Sequence, residues 1–119
     1  MTRRYIEDPI QASIVQYLRT VLLNCQVFSI PNGGFRTKRE AARLKWTGAL
    51  AGVPDLAIVA PAGRVHFIEC KALKGVLSDE QKAFRDWCIS TLTPCAVCRS
   101  IDEVKIALRA WGLETREAA

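Results

Sequence analysis

The stretch PDLAIVAPAGRVHFIECK, Pro54–Lys71, contains two apolar runs joined by a short turn of proline, alanine and glycine. Runs bounded in this way are typical of paired strands, so the stretch predicts a hairpin of strands Asp55–Ala60 and Arg64–Ala72. Both strands are apolar on both faces, which is typical of a sheet covered by helices on two sides. The second strand nevertheless ends in IECK, Ile68–Lys71, with a carboxylate and an ammonium two residues apart.

The predicted turn brings three charged side chains together. If the hairpin turns about Ala62, Asp55 faces Glu69, and directly opposed residues share a face with Cβ atoms ~5 Å apart. Lys71 follows Glu69 by two residues and therefore joins the same face. A one-residue slip of the register would separate the three side chains.

Two carboxylates at this separation repel by roughly 3 kcal/mol at an effective dielectric of about 20. One carboxyl could be protonated, Lys71 could neutralise the pair, or a divalent cation could lie between them. Mg²⁺ prefers carboxylate oxygens, and a metal so placed can activate water and stabilise a phosphate. Lys71 would then orient or deprotonate the water, or hold the phosphate. The alternative is a buried ion network without catalysis, although such networks are weak stabilisers.

Hydrophobic spacing and capping residues predict four helices and two more strands around the hairpin. The first helix is expected to start at Pro9, because proline favours the first helical position. Thr37, Ser78 and Ser100 each precede a further helix as N-cap. Short strands are expected at Val27–Ile30 and Cys95–Arg99. The order α-β-α-β-β-α-β-α predicts one α/β domain over residues 1–119, with a mixed sheet flanked by helices.

Composition and charge favour a nucleic-acid partner. The chain has 119 residues, a net charge of +5 and a pI of about 9.2. Such an excess favours an anionic partner, of which nucleic acid is the commonest, although the protein could be merely basic. No apolar run is long enough to span a bilayer and no signal peptide is recognisable, so we expect no membrane association.

The cysteines are expected to be reduced thiols in the core. Five cysteines without a secretory signal are typical of the cytosol. Cys95 and Cys98 have zinc-like spacing, but positions three apart in a strand point to opposite faces.

The residues at the hairpin end match a known signature. Pro54-Asp55 followed by Glu69-Cys70-Lys71 resembles the PD-(D/E)XK nuclease motif. GVPDL, HFIECK and LSDEQ stand in the order and spacing of the VRR-NUC family, and the resemblance covers the chain from about Glu7 to Leu113. The similar members are stand-alone proteins of phage or bacterial type, so the resemblance implies the cytoplasm of a bacterial or phage-infected cell.

The resemblance implies a restriction-endonuclease-like core and metal-dependent hydrolysis of DNA phosphodiesters, with Mg²⁺ as cofactor and Mn²⁺ able to substitute. Similar stand-alone members are homodimers that cut four-way (Holliday) junctions, and larger relatives are DNA-repair nucleases. A non-specific or nicking duplex endonuclease, or a silent DNA-binding module, is the alternative.

The resemblance also implies roles for individual residues. The implied catalytic residues are Asp55, Glu69, Lys71 and Gln81. The implied metal ligands are Asp55, Glu69 and the Cys70 carbonyl. Glu7 is a further implied ligand, although the direction of its side chain is less certain because the helix is expected to begin just after it. Gln81 could instead complete a capping box with Ser78, and Glu7 could be an exposed acid near a helix N-terminus.

The expected DNA interface is the basic segment between the first strand and the hairpin. Its residues are Asn32, Gly33, Gly34, Arg36, Lys38, Arg39 and Arg43. Several phosphates could be neutralised there, although a solvated basic helix face would look the same. His66 should lie on the opposite hairpin face from Glu69 and be structural. Trp46, Trp87 and Trp111 are expected to be core or dimer contacts rather than base-stacking platforms.

Overall fold

The predicted order of helices and strands is confirmed by a computed structural model of the chain. It describes residues 3–31 and 37–116, with side chains from residue 6 onward in those ranges. The elements are α1 (Arg3–Val21), β1 (Gln26–Ser29), α2 (Lys38–Trp46), β2 (Leu56–Ala60), β3 (Arg64–Cys70), α3 (Asp79–Thr91), β4 (Cys95–Cys98) and α4 (Ile101–Trp111). A single 3₁₀ turn, Pro61–Gly63, joins β2 to β3.

The hairpin has the predicted register. Leu56 pairs with Ile68 and Ala60 with Arg64, so the turn is centred on Ala62. Ala62 itself takes a left-handed conformation, with φ of 68°. The paired strands are shorter than predicted, because β2 starts after Asp55 and β3 ends at Cys70. Asp55 and Lys71 therefore lie just beyond the ends of these strands, whereas Glu69 still pairs with Val97 of β4.

The sheet is mixed, as predicted. Its strand order is β1-β2-β3-β4, with antiparallel pairing of β1 with β2 and of β2 with β3. β4 lies parallel to β3 and is reached through α3. A crossover helix of this kind is the usual connection between parallel neighbours.

Helices cover both faces of the sheet, which confirms the expectation from the apolar strands. One face packs on α1 and α4. The buried side chains of that core include Ile14, Leu18, Leu56, Ile58, Ile68, Cys98, Val104 and Leu108. On the other face Phe84 of α3 stands edge-on to Phe67, with ring centroids 5.4 Å apart.

Helix α1 starts earlier than predicted, and the expected start at Pro9 is wrong. The helix begins at Arg3 and contains Pro9. Proline already has a helical φ, although inside a helix it removes one hydrogen bond and its ring crowds the carbonyl four residues before it. Glu7 therefore lies within the helix and is held at a fixed direction relative to the sheet.

The three tryptophans differ in environment. Trp111 packs against buried His66, with ring centroids 5.1 Å apart on the face opposite Glu69, as expected for a structural histidine. Trp87 is half exposed and contacts Phe84. Trp46 is 87% exposed, so the expectation of a core contact within this chain is wrong for it. Helix α2, which ends at Trp46, has no buried residue at all.

The cysteines are free thiols distributed over both faces. Cys98 belongs to the core beneath α1 and α4, whereas Cys95 hydrogen-bonds with Cys88 of α3 on the other face. Burial raises the pKa of Cys98 to about 11 and that of Cys95 to about 12, so both stay protonated. Within residues 3–31 and 37–116, no helix is long and apolar enough to cross a membrane.

Candidate active site

Three charged side chains meet at the open end of the hairpin. Glu69 is 4% exposed and Lys71 2%, while Asp55 is half-buried. Ile68 and Cys70 point into the core, so strand alternation turns Glu69 toward the opposite face. The predicted convergence of Asp55 with Glu69 follows from the observed register, because the two residues extend the β2–β3 pairing by one step.

Asp55 is fixed to both neighbouring strands. Its carboxylate Oδ2 accepts a hydrogen bond of 2.8 Å from the main-chain N–H of Cys70. Its main-chain carbonyl accepts one of 2.7 Å from the N–H of Ile30, just after β1. The carboxylate therefore cannot swing away from Glu69 without breaking a bond to β3.

Glu69 is oriented by Gln81 at the start of α3. Gln81 Nε2 donates to Glu69 Oε2 at 3.1 Å. Gln81 Oε1 also accepts the N–H of Ser78 at 2.8 Å, and Ser78 Oγ accepts the N–H of Gln81 at 3.1 Å. The capping box is therefore present, and the same amide also holds the Glu69 carboxyl. The catalytic role of Gln81 stays a prediction.

Burial, and after it the neighbouring Asp55 carboxylate, together raise the pKa of Glu69 to about 9, against the opposing effect of Lys71. Near neutral pH the metal-free protein therefore keeps a proton on this carboxyl. Lys71 does not fully neutralise the pair. Of the three ways to relieve the repulsion, protonation of Glu69 is therefore the one expected when no cation is bound. A bound cation could replace that proton.

Glu7 lies against Lys71. Its Oε2 is 3.7 Å from Lys71 Nζ and accepts the N–H of Ala72 at 3.2 Å. A Cβ atom added at Gly75 would come within 3.2 Å of the same oxygen, so the loop closes tightly around the carboxylate. Glu7 is thus a partner of Lys71, and its reach to a metal stays a prediction.

Gly52 is a site-forming residue that reasoning from the sequence missed. Its φ is +89°, and a Cβ at this position would collide with the main-chain carbonyl of Glu80. The loop before Asp55 can therefore rest directly on the first turn of α3, which carries Gln81. The only signal in the sequence was a glycine two residues before Pro54, and that spacing does not reveal its neighbour.

The donors present suit a hard divalent cation. Mg²⁺ is usually bound by one or two carboxylates, with waters and substrate phosphates completing its shell. Asp55 and Glu69 provide such a pair. In the described part of the chain no three His, Cys, Asp or Glu side chains form a group able to hold a metal. A cation here would therefore depend on water and phosphate, and the role of the Cys70 carbonyl stays a prediction.

The expected DNA interface is described in part. Lys38, Arg39 and Arg43 are exposed on α2, which Thr37 caps by accepting the N–H of Glu40. The other predicted contacts lie outside the described residues. They are Asn32, Gly33, Gly34 and Arg36.

Comparison with known proteins identifies the family. No curated protein and no solved structure matches the chain significantly. A family model for the VRR-NUC domain matches residues 6–102, most of the chain, and that span includes every site residue described above. VRR-NUC domains are nuclease domains of the PD-(D/E)XK type. The chain therefore belongs to the VRR-NUC family, and its mixed sheet and flanking helices form a nuclease domain.

Proposed function

We propose that the chain is a divalent-metal-dependent DNA endonuclease that acts as a homodimer and prefers four-way junctions. The observation that carries the proposal is the carboxylate pair of half-buried Asp55 and buried Glu69, beside buried Lys71, in a nuclease domain. A binding module without chemistry would gain nothing from two repelling carboxylates at one strand end.

Asp55 and Glu69 would hold Mg²⁺, with Mn²⁺ as a substitute, and the Cys70 carbonyl would complete the protein's share of the ligands. When bound, such a cation lowers the pKa of water and neutralises charge that develops on the phosphate. Each carboxylate is preorganised for this, since Asp55 is tied to the Cys70 N–H and Glu69 to Gln81. Such bonds fix ligand orientation.

Lys71 would act on the attacking water or the scissile phosphate. Its ammonium is almost fully buried, and Glu7 holds it from the α1 side. As an ammonium, Lys71 can orient the water or stabilise a phosphate oxygen; it could accept the proton of the water only after losing its own. Glu7 would act by placing Lys71, and Gln81 by placing Glu69.

The basic charge would serve DNA binding. The net charge is +5, and Lys38, Arg39 and Arg43 are available to phosphates on exposed α2. Cutting both strands of a junction requires two active sites, which a two-fold dimer supplies. We assign the segment Asn32–Arg36 to the same interface on the basis of the family resemblance.

The test is a cleavage assay on a labelled four-way junction and a linear duplex of matched sequence, each with Mg²⁺, Mn²⁺ or EDTA. Asp55→Asn and Lys71→Ala are assayed beside Lys74→Ala, which removes an exposed lysine of the neighbouring loop. We expect metal-dependent paired cuts in the junction, loss in the first two variants, and wild-type behaviour in the third.

Other outcomes decide between the alternatives. Equal cutting of both DNAs, or single nicks, would replace junction selectivity with an ordinary duplex or nicking endonuclease. Binding of junctions without cleavage in either metal would contradict the endonuclease itself and leave a silent DNA-binding module. Cleavage in EDTA would contradict the role of the carboxylate pair.

A further inference from the structure

Helix α2 lacks the packing that normally stabilises a helix of its length. It has nine residues and none of them is buried. Isolated helices this short are marginal in water, and most helical stability in proteins comes from a packed face. Leu44 is half-buried, and its carbonyl accepts the N–H of Ala49. The side facing away from Leu44 is open to a partner.

That open side combines arginines with an aromatic ring. Arg39, Arg43 and Trp46 fall at positions i, i+4 and i+7, with Ala42 between them at i+3, so all four share one stripe. Every residue of the stripe is exposed, and Trp46 is 87% exposed. Large apolar side chains so exposed mark interaction sites when they belong to a patch.

The charges on the stripe select DNA over a second copy of the chain. Two guanidinium groups beside the indole complement phosphates. A two-fold contact through the same stripe would oppose these arginines to those of the other subunit. An indole ring also offers a stacking surface to a base.

We propose that the stripe Arg39, Ala42, Arg43 and Trp46 docks on DNA at a branch point, with Trp46 stacking on a base that the branch exposes. A linear duplex keeps its bases stacked on both sides, whereas a branch interrupts the stack. Trp46 is thus the residue that distinguishes junctions from duplex, and the arginines supply affinity common to both. The inference rests on the proposed function.

The test measures binding of a four-way junction and of a matched duplex in EDTA, by fluorescence anisotropy, for Trp46→Ala and Trp46→Phe. Ile106→Ala is the control, because Ile106 is an exposed apolar residue on α4. Light scattering reports the mass of each variant, and wild-type cleavage in Mg²⁺ is measured in parallel. We expect Trp46→Ala to weaken junction binding at least ~5-fold, a loss typical of one stacked base.

In Trp46→Ala, duplex affinity and mass should stay at wild-type values. The junction affinity of Trp46→Phe should lie between those of wild type and Trp46→Ala. Ile106→Ala should match wild type in every measurement. Equal loss on both DNAs, or none on the junction, would overturn the assignment of Trp46. A fall in mass would overturn it in favour of a contact between subunits. If wild type neither prefers nor cuts the junction, the proposed function itself is contradicted. If wild type does both and only the Trp46 variants behave otherwise than expected, the assignment of Trp46 alone is contradicted.

Discussion

The charged end of the hairpin and helix α2 place their polar groups in opposite ways. Glu69 and Lys71 are 4% and 2% exposed, and each is held by a neighbour on another element. The polar groups of α2 are exposed, and no residue of the helix is buried. The charged end of the hairpin lies on paired strands, whereas helix α2 lies on the surface.

The difference teaches that, under the proposed function, reacting groups and phosphate-binding groups would lie on separate elements of this fold. Groups that react must be held within fractions of an ångström, which strands and hydrogen-bonded neighbours achieve. Groups that bind phosphates act through charge and tolerate mobility. Changes at the hairpin should therefore abolish cleavage and spare DNA binding, and changes on α2 should do the reverse.

The largest effect is expected from Asp55→Asn and Lys71→Met. At saturating junction each should lower the cleavage rate by roughly 10²–10³-fold or more, because groups aimed at developing charge are removed. Junction affinity in EDTA should stay close to wild type, since we assign that affinity chiefly to the exposed basic residues of α2. Single-turnover rates and anisotropy measure the two quantities. A parallel loss of cleavage rate and junction affinity in these variants would contradict the assignment of cleavage to the hairpin and of DNA binding to α2.

Gly52→Ala should disrupt the site from outside it. The added Cβ collides with the Glu80 main chain and pushes the loop off α3, away from Gln81. We expect a loss of ~2–4 kcal/mol in the free energy of unfolding, typical of overpacking combined with backbone strain, together with slower cleavage. Urea denaturation measures the stability.

Gly48→Ala is the matched control for Gly52→Ala. Its φ is +112°, but nothing lies within 4 Å of an added Cβ. It should lose only the strain component, about 1–2 kcal/mol, and retain cleavage. Equal losses in the two variants would show that contact with α3 is unimportant.

Glu69→Gln should stabilise the metal-free protein at high pH. The folded pKa of Glu69 is raised from 4.5 to about 9, chiefly by burial, so the folded state binds a proton that the unfolded chain has lost. The free energy of unfolding therefore falls as pH rises through this window. In EDTA, wild type should lose several degrees of Tm between pH 5.5 and 8.

The neutral glutamine should remove that component of the pH dependence, leaving the variant more stable than wild type at pH 8 and inactive. Thermal melts of both proteins at the two pH values provide the measurement. An identical pH dependence in wild type and variant would mean that Glu69 carries no proton in the folded state.

Glu7→Gln should have a smaller effect on cleavage. Without its carboxylate, Lys71 loses its ion-pair partner at 3.7 Å, while the amide oxygen can still accept the Ala72 N–H. We expect a 10–100-fold slower reaction, as for other positioning contacts, and unchanged junction affinity. The rate should depend on pH differently from wild type. Wild-type rates over the whole pH range would exclude a role for Glu7 in placing Lys71.

The smallest effect is expected on α2. Arg43→Ala should weaken binding of junction and duplex alike and lower the salt dependence of log K by about 0.9, the value for one phosphate contact. The cleavage rate at saturating DNA should not change. Arg109→Ala, which removes an exposed arginine from α4, should leave the salt dependence unaltered. A changed rate in Arg43→Ala would connect α2 to the chemistry.

Local signals in the sequence were sufficient for the hairpin and the helix caps. A turn of three residues between two apolar strands allows few registers, so the approach of Asp55 to Glu69 followed from the position of Ala62. The caps at Ser78 and Ser100 depend on residues three apart, which the sequence displays directly.

Contacts between distant segments could not be predicted. The start of α1 was misplaced because the helical φ of Pro9 allows a helix to continue before it as well as to begin there. Glycine is required at position 52 because a Cβ there would collide with Glu80, a residue distant in sequence. Trp46 is exposed because no other element of the chain covers its side of α2 in the described residues. Hydrophobic periodicity along the sequence predicts neither the collision at position 52 nor the exposure of Trp46.

The most direct test of the central claim, that Asp55 and Glu69 form a cation site, is calorimetric titration of the metal-free protein with Mn²⁺ near pH 7. Wild type and Asp55→Asn are compared in two buffers of different ionisation enthalpy. Wild type should bind Mn²⁺ and release a proton, because the cation displaces the proton that Glu69 holds. Asp55→Asn should lose this binding. Equal Mn²⁺ affinity in the two proteins would contradict the account.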